Sequence, residues 1–189
     1  MKFIFLITFC SLITFGKLFA SNDSIISLRL NELKSKGINN SFVMETYSTG
    51  CHCCGTNDNC NYESSQIYFF WRDKDKDFIQ TYNKCGSPIK AIHNKVFDFY
   101  LQNRKTILKE EVKSYLISEK DGLVMELIID DSRHVKFYLG AGEKYIVKEY
   151  DAYQLTNMEN DQPNQNFERN NSLKLVKLQK SIDDLINTQ

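Results

Sequence analysis

Hydrophobic and polar positions along this chain follow two periods, one helical and one extended. Ile26, Leu30 and Leu33 recur at helical spacing within residues 24–36, and Gly37 stands where that helix should stop. Residues 42–49 then read as a strand. In the run 66–72, Ile67, Phe69 and Trp71 share one face while Tyr68 and Phe70 share the other, so this strand should lie inside a sheet covered on both sides. The polar turn 73–76 leads back through residues 78–85 as the second arm of a hairpin. Pro88 interrupts the ladder, and a short helix is expected to open at His93 or Asn94 and run through Val96, Phe97, Tyr100 and Leu101.

Four more strands should follow as a meander, at 112–118, 123–130, 134–139 and 145–150. Leu123, Met125, Leu127 and Ile129 alternate as a core face in the second, and Val135, Phe137 and Leu139 do so in the third. Residues 156–171 are rich in Asn and Gln, with only Met158 and Phe167 as large apolar side chains, and read as a long mobile loop. From Ser172 a last helix carries Leu175, Leu178, Ile182 and Leu185 on one stripe, suited to capping a sheet. The fold expected is α+β: an antiparallel sheet of about six or seven strands with N-terminal, middle and C-terminal helices packed on it.

The first twenty residues stand apart from that domain. Met1-Lys2 gives a positive start, residues 3–15 are almost wholly apolar, and Ala20 precedes a polar stretch. This is the pattern of a cleavable signal peptide, too short to span a bilayer. The expected division is therefore a leader at 1–20 and one domain at 21–189, soluble and outside the cytoplasm, periplasmic or secreted. Loss of Lys2 and Lys17 leaves the remainder with a net charge of about −2. No basic run is interleaved with aromatics, which argues against a nucleic-acid partner.

An oxidising destination changes the meaning of the cysteines. Cys51, Cys53, Cys54 and Cys60 crowd into the loop 51–60, and Cys85 lies at the far end of the hairpin. Disulfides are the leading reading, because exported thiols pair, and two bridges would leave one cysteine over. A soft-metal site is the second reading, with Cys51, His52, Cys53, Cys54 and Cys60 as ligands for Zn²⁺ or Cu(I). Adjacent Cys53 and Cys54 fit it poorly, since neighbours in an extended chain point apart. Thiol redox chemistry is the third, but the turn-like Gly55-Thr56-Asn57 after Cys54 supplies no helix N-terminus to lower a thiol pKa.

Other catalytic signals are missing. The chain lacks the nucleophile-elbow, zincin, P-loop and dinucleotide-binding motifs, and no cofactor is implied. Its histidines are His52 in the cysteine loop, His93 at a helix start and His134 on a strand face turned to solvent. The acidic pairs Glu110-Glu111, Asp130-Asp131 and Asp183-Asp184 read as solvated charges. Asn22, Asn39 and Asn170 begin glycosylation triplets. With 13 Phe, 10 Tyr and one Trp the chain is rich in aromatics. Tyr68, Phe70, Trp71, Tyr138 and Tyr150 could form a binding face if no second layer covers them. The expected function is an exported, non-enzymatic module that binds a protein or envelope component. A thiol or metal protein acting through the cysteine loop is the alternative, and a hydrolase built from distant residues is a third possibility.

Overall fold

The computed structural model describes residues 22–49, 65–82, 88–93, 95–118, 121–141, 144–159 and 161–188. Helix α1 (Asn22–Ser35) is the first described element. It is followed by strands β1 (Ser41–Ser48), β2 (Ser65–Asp73), β3 (Lys76–Tyr82) and β4 (Ile89–Ile92). Helix α2 (Val96–Ile107) precedes β5 (Tyr115–Ser118), β6 (Val124–Leu127), β7 (Arg133–Ala141) and β8 (Lys144–Asp151). A 3-10 turn, Ala152–Leu155, leads to the two-residue strands β9 (Met158–Glu159) and β10 (Gln162–Pro163). Helices α3 (Phe167–Ser172) and α4 (Lys174–Asn187) close the chain.

Six strands form one antiparallel sheet in the order β4-β3-β2-β1-β7-β8, and the fold is α+β as expected. The sheet is sandwiched. On one face α1 lays Ile26, Leu30 and Leu33 against Val43, Ile67, Phe69, Trp71 and Tyr138. On the other, α2 and α4 cover Phe42, Met44, Tyr68, Phe70, Val135 and Phe137. Phe42 is the centre of this second layer, with ring centroids 4.7 Å from Phe70, 4.5 Å from Tyr100 and 5.7 Å from Phe97. The double-sided apolar pattern of β2 therefore has the predicted cause, an internal strand with a layer on each side.

Gly37 ends α1 as expected. Its φ of 79° lies in the left-handed region that favours glycine. Its N–H donates to the Lys34 carbonyl at 2.9 Å and that of Ile38 to the Leu33 carbonyl at 3.0 Å, the paired bonds of a Schellman cap. Ile38 then packs in the same cluster as Leu33. The middle helix begins later than expected and runs beyond Leu101 to Ile107, itself fully buried. Its last turn is polar apart from Ile107, so hydropathy does not reveal it. Arg104 anchors that turn by donating from Nε to the Gly140 carbonyl at 2.9 Å.

Two expectations need correction. The four-strand meander does not form. β5 and β6 pair only with each other, while β7 crosses to β1. β7 buries Val135, Phe137 and Leu139 under α2 and α4 and Tyr138 under α1, so it can complete the middle of a sandwiched sheet. β6 is not part of that sheet, so Leu123 and Met125 face solvent and only Leu127 and Ile129 pack, against Tyr115, Ile117 and Tyr153. Alternation at period two marks a strand but not what lies over it.

The second correction is the Asn-rich stretch, which contains β9, β10 and α3 instead of a plain loop. Side-chain amides organise it. Asn164 donates to the Gln154 carbonyl at 3.0 Å. Asn170, fully buried, donates to the carbonyls of Lys113 at 2.8 Å and Gln154 at 3.0 Å and accepts from the Lys113 N–H at 2.9 Å. Replacing Asn170 by Ala takes the side-chain partner from both the N–H and the carbonyl of Lys113, while the Gln154 carbonyl keeps its bond from Asn164. Asn170→Ala should lower unfolding free energy by about 2–4 kcal/mol in urea titrations, whereas Asn31→Ala on the exposed side of α1 should shift it by no more than about 0.5 kcal/mol.

Candidate functional site

The aromatic face expected from sequence is not a surface. Tyr68, Phe70, Trp71, Tyr138 and Tyr150 are all buried, because helices cover both sides of the sheet. A partner cannot reach them. Cys51, His52, Cys53, Cys54, Cys60 and Cys85 lie outside the described residues. Among the described residues no group of three or more His, Cys, Asp or Glu side chains gathers as metal ligands would, and no helix is long and apolar enough to cross a membrane. Of the glycosylation triplets, Asn39 is exposed, Asn22 is half-buried and Asn170 is out of reach in the core.

His134 is more enclosed than a solvent-face residue. Its ring stacks on Tyr47 at 4.6 Å between centroids. Nδ1 lies 2.5 Å from Asp151 Oδ1, and Nε2 lies 2.9 Å from Thr49 Oγ1. Hydroxyl, imidazole and carboxylate thus stand in the order used by acyl-transfer enzymes. The Thr49 hydroxyl, however, donates its proton to the Asp130 carbonyl at 2.7 Å. That bond ties the end of β1 to the turn before β7 and leaves the oxygen without a proton to pass to the imidazole. The arrangement is a structural clasp across β1, β7 and β8. The acidic pairs also resolve into structure where they are bonded. Glu110 accepts from the N–H groups of Lys174 at 3.1 Å and Leu175 at 2.8 Å, satisfying the first turn of α4. Asp183 pairs with Arg133 at 3.5 Å.

Glu45 carries the least expected chemistry. It sits on β1 between apolar neighbours and is only 4 % exposed. Asn22 donates to its Oε1 at 2.6 Å, Ser65 donates to the same oxygen at 3.3 Å, and the Tyr138 hydroxyl donates to Oε2 at 3.1 Å. These neutral donors offset the cost of burying its carboxylate. The single Tyr138 phenolic proton is shared between Glu45 and Asp23, and Lys136 donates at 3.1 Å to the same Asp23 oxygen, Oδ1. The Tyr138 hydroxyl bond, followed by that of Lys136, holds the Asp23 carboxyl below its ordinary range. Burial, followed by the bond to Asp23, pushes the Tyr138 phenol far up, so it remains a donor at any ordinary pH. Glu45 was legible as an acidic residue at an inward position of a central strand. Asp23 was not, since only the fold brings it to β7.

Two surface features lie outside this network. The first is a cleft of about 540 Å³ between α1 and strands β7 and β8. Asp23, Ser27 and Asn31 line it from the helix, and Tyr145, Val147 and Glu149 from β8. A smaller cleft of about 350 Å³ shares Asp23 and Lys136 with it and reaches Glu45, Tyr47 and Ser65. The second feature is the β5–β6 ribbon. Leu123, Val124, Met125 and Ile128 are between 45 and 71 % exposed, and among the described residues β6 has no partner on its outer side. Sequence reading had assigned Leu123 and Met125 to the core. No protein-family model, curated protein or solved structure matches this chain, so the site is read from its own geometry.

The Asp23 network predicts a pH signature. A carboxylate whose folded pKa lies below its unfolded value, here 3.8, stabilises the protein above that value. The contribution disappears as pH falls through the depressed folded value. The urea midpoint of wild type should therefore exceed that of Asp23→Asn at neutral pH. The gap should close on acidification below the ordinary Asp range.

Proposed function

We propose that the chain is an exported, non-enzymatic module that holds a protein partner through its β5–β6 ribbon. The observation that carries this reading is the apolar exposure of β6. Four large apolar side chains project from a short segment whose outer backbone edge has no strand paired to it among the described residues. A free edge offers main-chain donors and acceptors, and flanking apolar side chains add area that water disfavours, which is how a sheet recruits another strand. β5 fixes the ribbon in place. The Tyr115 hydroxyl donates to the Gln162 carbonyl at 2.5 Å, and the Gln165 N–H donates to the Leu116 carbonyl at 2.9 Å. A docking edge held in this way loses little conformational freedom on binding.

The clasp around His134 supports the non-enzymatic side of the reading, because the hydroxyl beside the imidazole is already committed to a carbonyl. A photo-crosslinking side chain placed at Met125, in the protein expressed in its natural compartment, should give one dominant adduct. The same side chain at Leu28, which is still more exposed on α1, should give none. Val124→Asp and Ile128→Lys should abolish the adduct with the urea midpoint unchanged to within about 0.5 kcal/mol. An adduct of twice the chain's own mass would replace the foreign partner with a second copy. Turnover on a broad hydrolase panel, lost in His134→Ala, would overturn the reading altogether.

A further inference from the structure

The six-stranded sheet has two edges, and they are not alike. β4 is four residues long, follows Pro88 and carries Lys90, features that discourage pairing. β8 is eight residues long and, among the described residues, ends the sheet with no strand beyond it. Alternate residues of such a strand turn their N–H and C=O groups outward. Among the described residues, no backbone hydrogen bond joins that outer edge to another element. Ile146 and Val147 stand exposed on its two faces. Its α1 side opens onto the 540 Å³ cleft, which exists because α1 covers β1, β2 and part of β7 and meets β8 only around Tyr145.

We infer that the edge of β8 and this cleft together receive an extended polypeptide segment bearing basic side chains. The segment would add as a strand to β8, with every second side chain directed into the cleft. Ile26, Leu30 and Val147 give the cleft apolar walls. Charge selects the occupant. On the α1 face, Asp23, Glu45, Glu149 and Asp151 gather at the Asp151 end of β8, against Lys136 and the His134 ring. Lys136 is already bonded to Asp23, and Asp151 faces His134. Glu149 is exposed and accepts a hydrogen bond from the Tyr47 hydroxyl; among the described residues it makes no ion pair, since its cross-strand neighbour Lys136 is bonded to Asp23. Lys148 lies on the opposite face of the strand, beside Glu110 and Glu111. Lys34 sits over the Tyr145 ring at 4.7 Å, at the other end of the cleft. The groove is therefore polarised, and the basic part of an incoming strand belongs at the Glu149 end.

The test uses the intact protein and a blocked peptide of alternating lysine and valine, long enough to run the length of β8. A matched peptide of alternating glutamate and valine is the control. The basic peptide should bind at least about tenfold more tightly, and the preference should fall as salt rises. Glu149→Lys should remove the preference while the urea midpoint holds. A central proline in the basic peptide should abolish binding, since proline cannot complete a ladder. Hydrogen exchange on binding should slow the amides of residues 144–151. Equal affinity for the two peptides, no binding, or tolerance of the proline would each overturn the inference. Protection at residues 124–127 instead would overturn it too, and would move peptide capture to the β6 edge.

Discussion

The whole structure depends on the need to cover a sheet twice. β1, β2 and β7 carry large apolar side chains on both faces, and these are stable only with a layer on each side. The α2–α4 side is broad and closes over the strands around Phe42. The α1 side is a single fourteen-residue helix. One helix is about 10 Å across with its side chains and strands lie about 4.8 Å apart, so it can roof little more than two strands. The cleft beside β8 follows from that shortage, without any distortion of the sheet.

The same shortage explains the polar network. Where α1 begins, its roof ends, and the strands beneath exchange apolar for polar residues over a few positions. Glu45, Tyr47, His134, Lys136 and Asp151 all lie toward this end of the α1 face. Asn22 and Asp23, at the first turn of α1, reach down to them. Buried polar groups must find partners or they destabilise the fold. Here the partners come from four separate segments, so the network fixes the angle at which α1 meets the sheet. The charge left over at Glu149 is what gives the adjoining cleft a sign.

Much of this was legible in the sequence because it rests on local periodicity. The stripe of α1, the Gly37 stop, the two faces of β2 and the stripe of α4 each report on one element and its immediate cover. What was not legible depends on which elements meet. Nothing local tells β7 to pair with β1 instead of β6, and the same alternation describes Leu123-Met125 in solvent and Val135-Phe137 in the core. The five aromatics read as a possible surface proved to be core, since the helices that bury them are far away in sequence. The Asn-rich stretch was misread for a different reason. Hydropathy counts apolar area, and Asn164 and Asn170 hold their segment by hydrogen bonds.

That amide-built segment bears directly on how the β5–β6 ribbon can be used. A two-stranded ribbon is marginally stable by itself in water. This one has a small apolar base in Tyr115, Ile117 and Tyr153. It also has polar ties from the 162–170 stretch, where Asn166 donates to the Ser114 carbonyl at 2.9 Å and Gln165 bonds Ser118. All of these hold β5. The apolar residues of β6 before Leu127 take no part in the base, so removing them should not unfold the ribbon. Their exposure is thus not a by-product of packing. A strand anchored through its neighbour, with no strand on its outer edge among the described residues, can take up a partner strand without the domain changing shape, which is the property that the proposed docking role relies on.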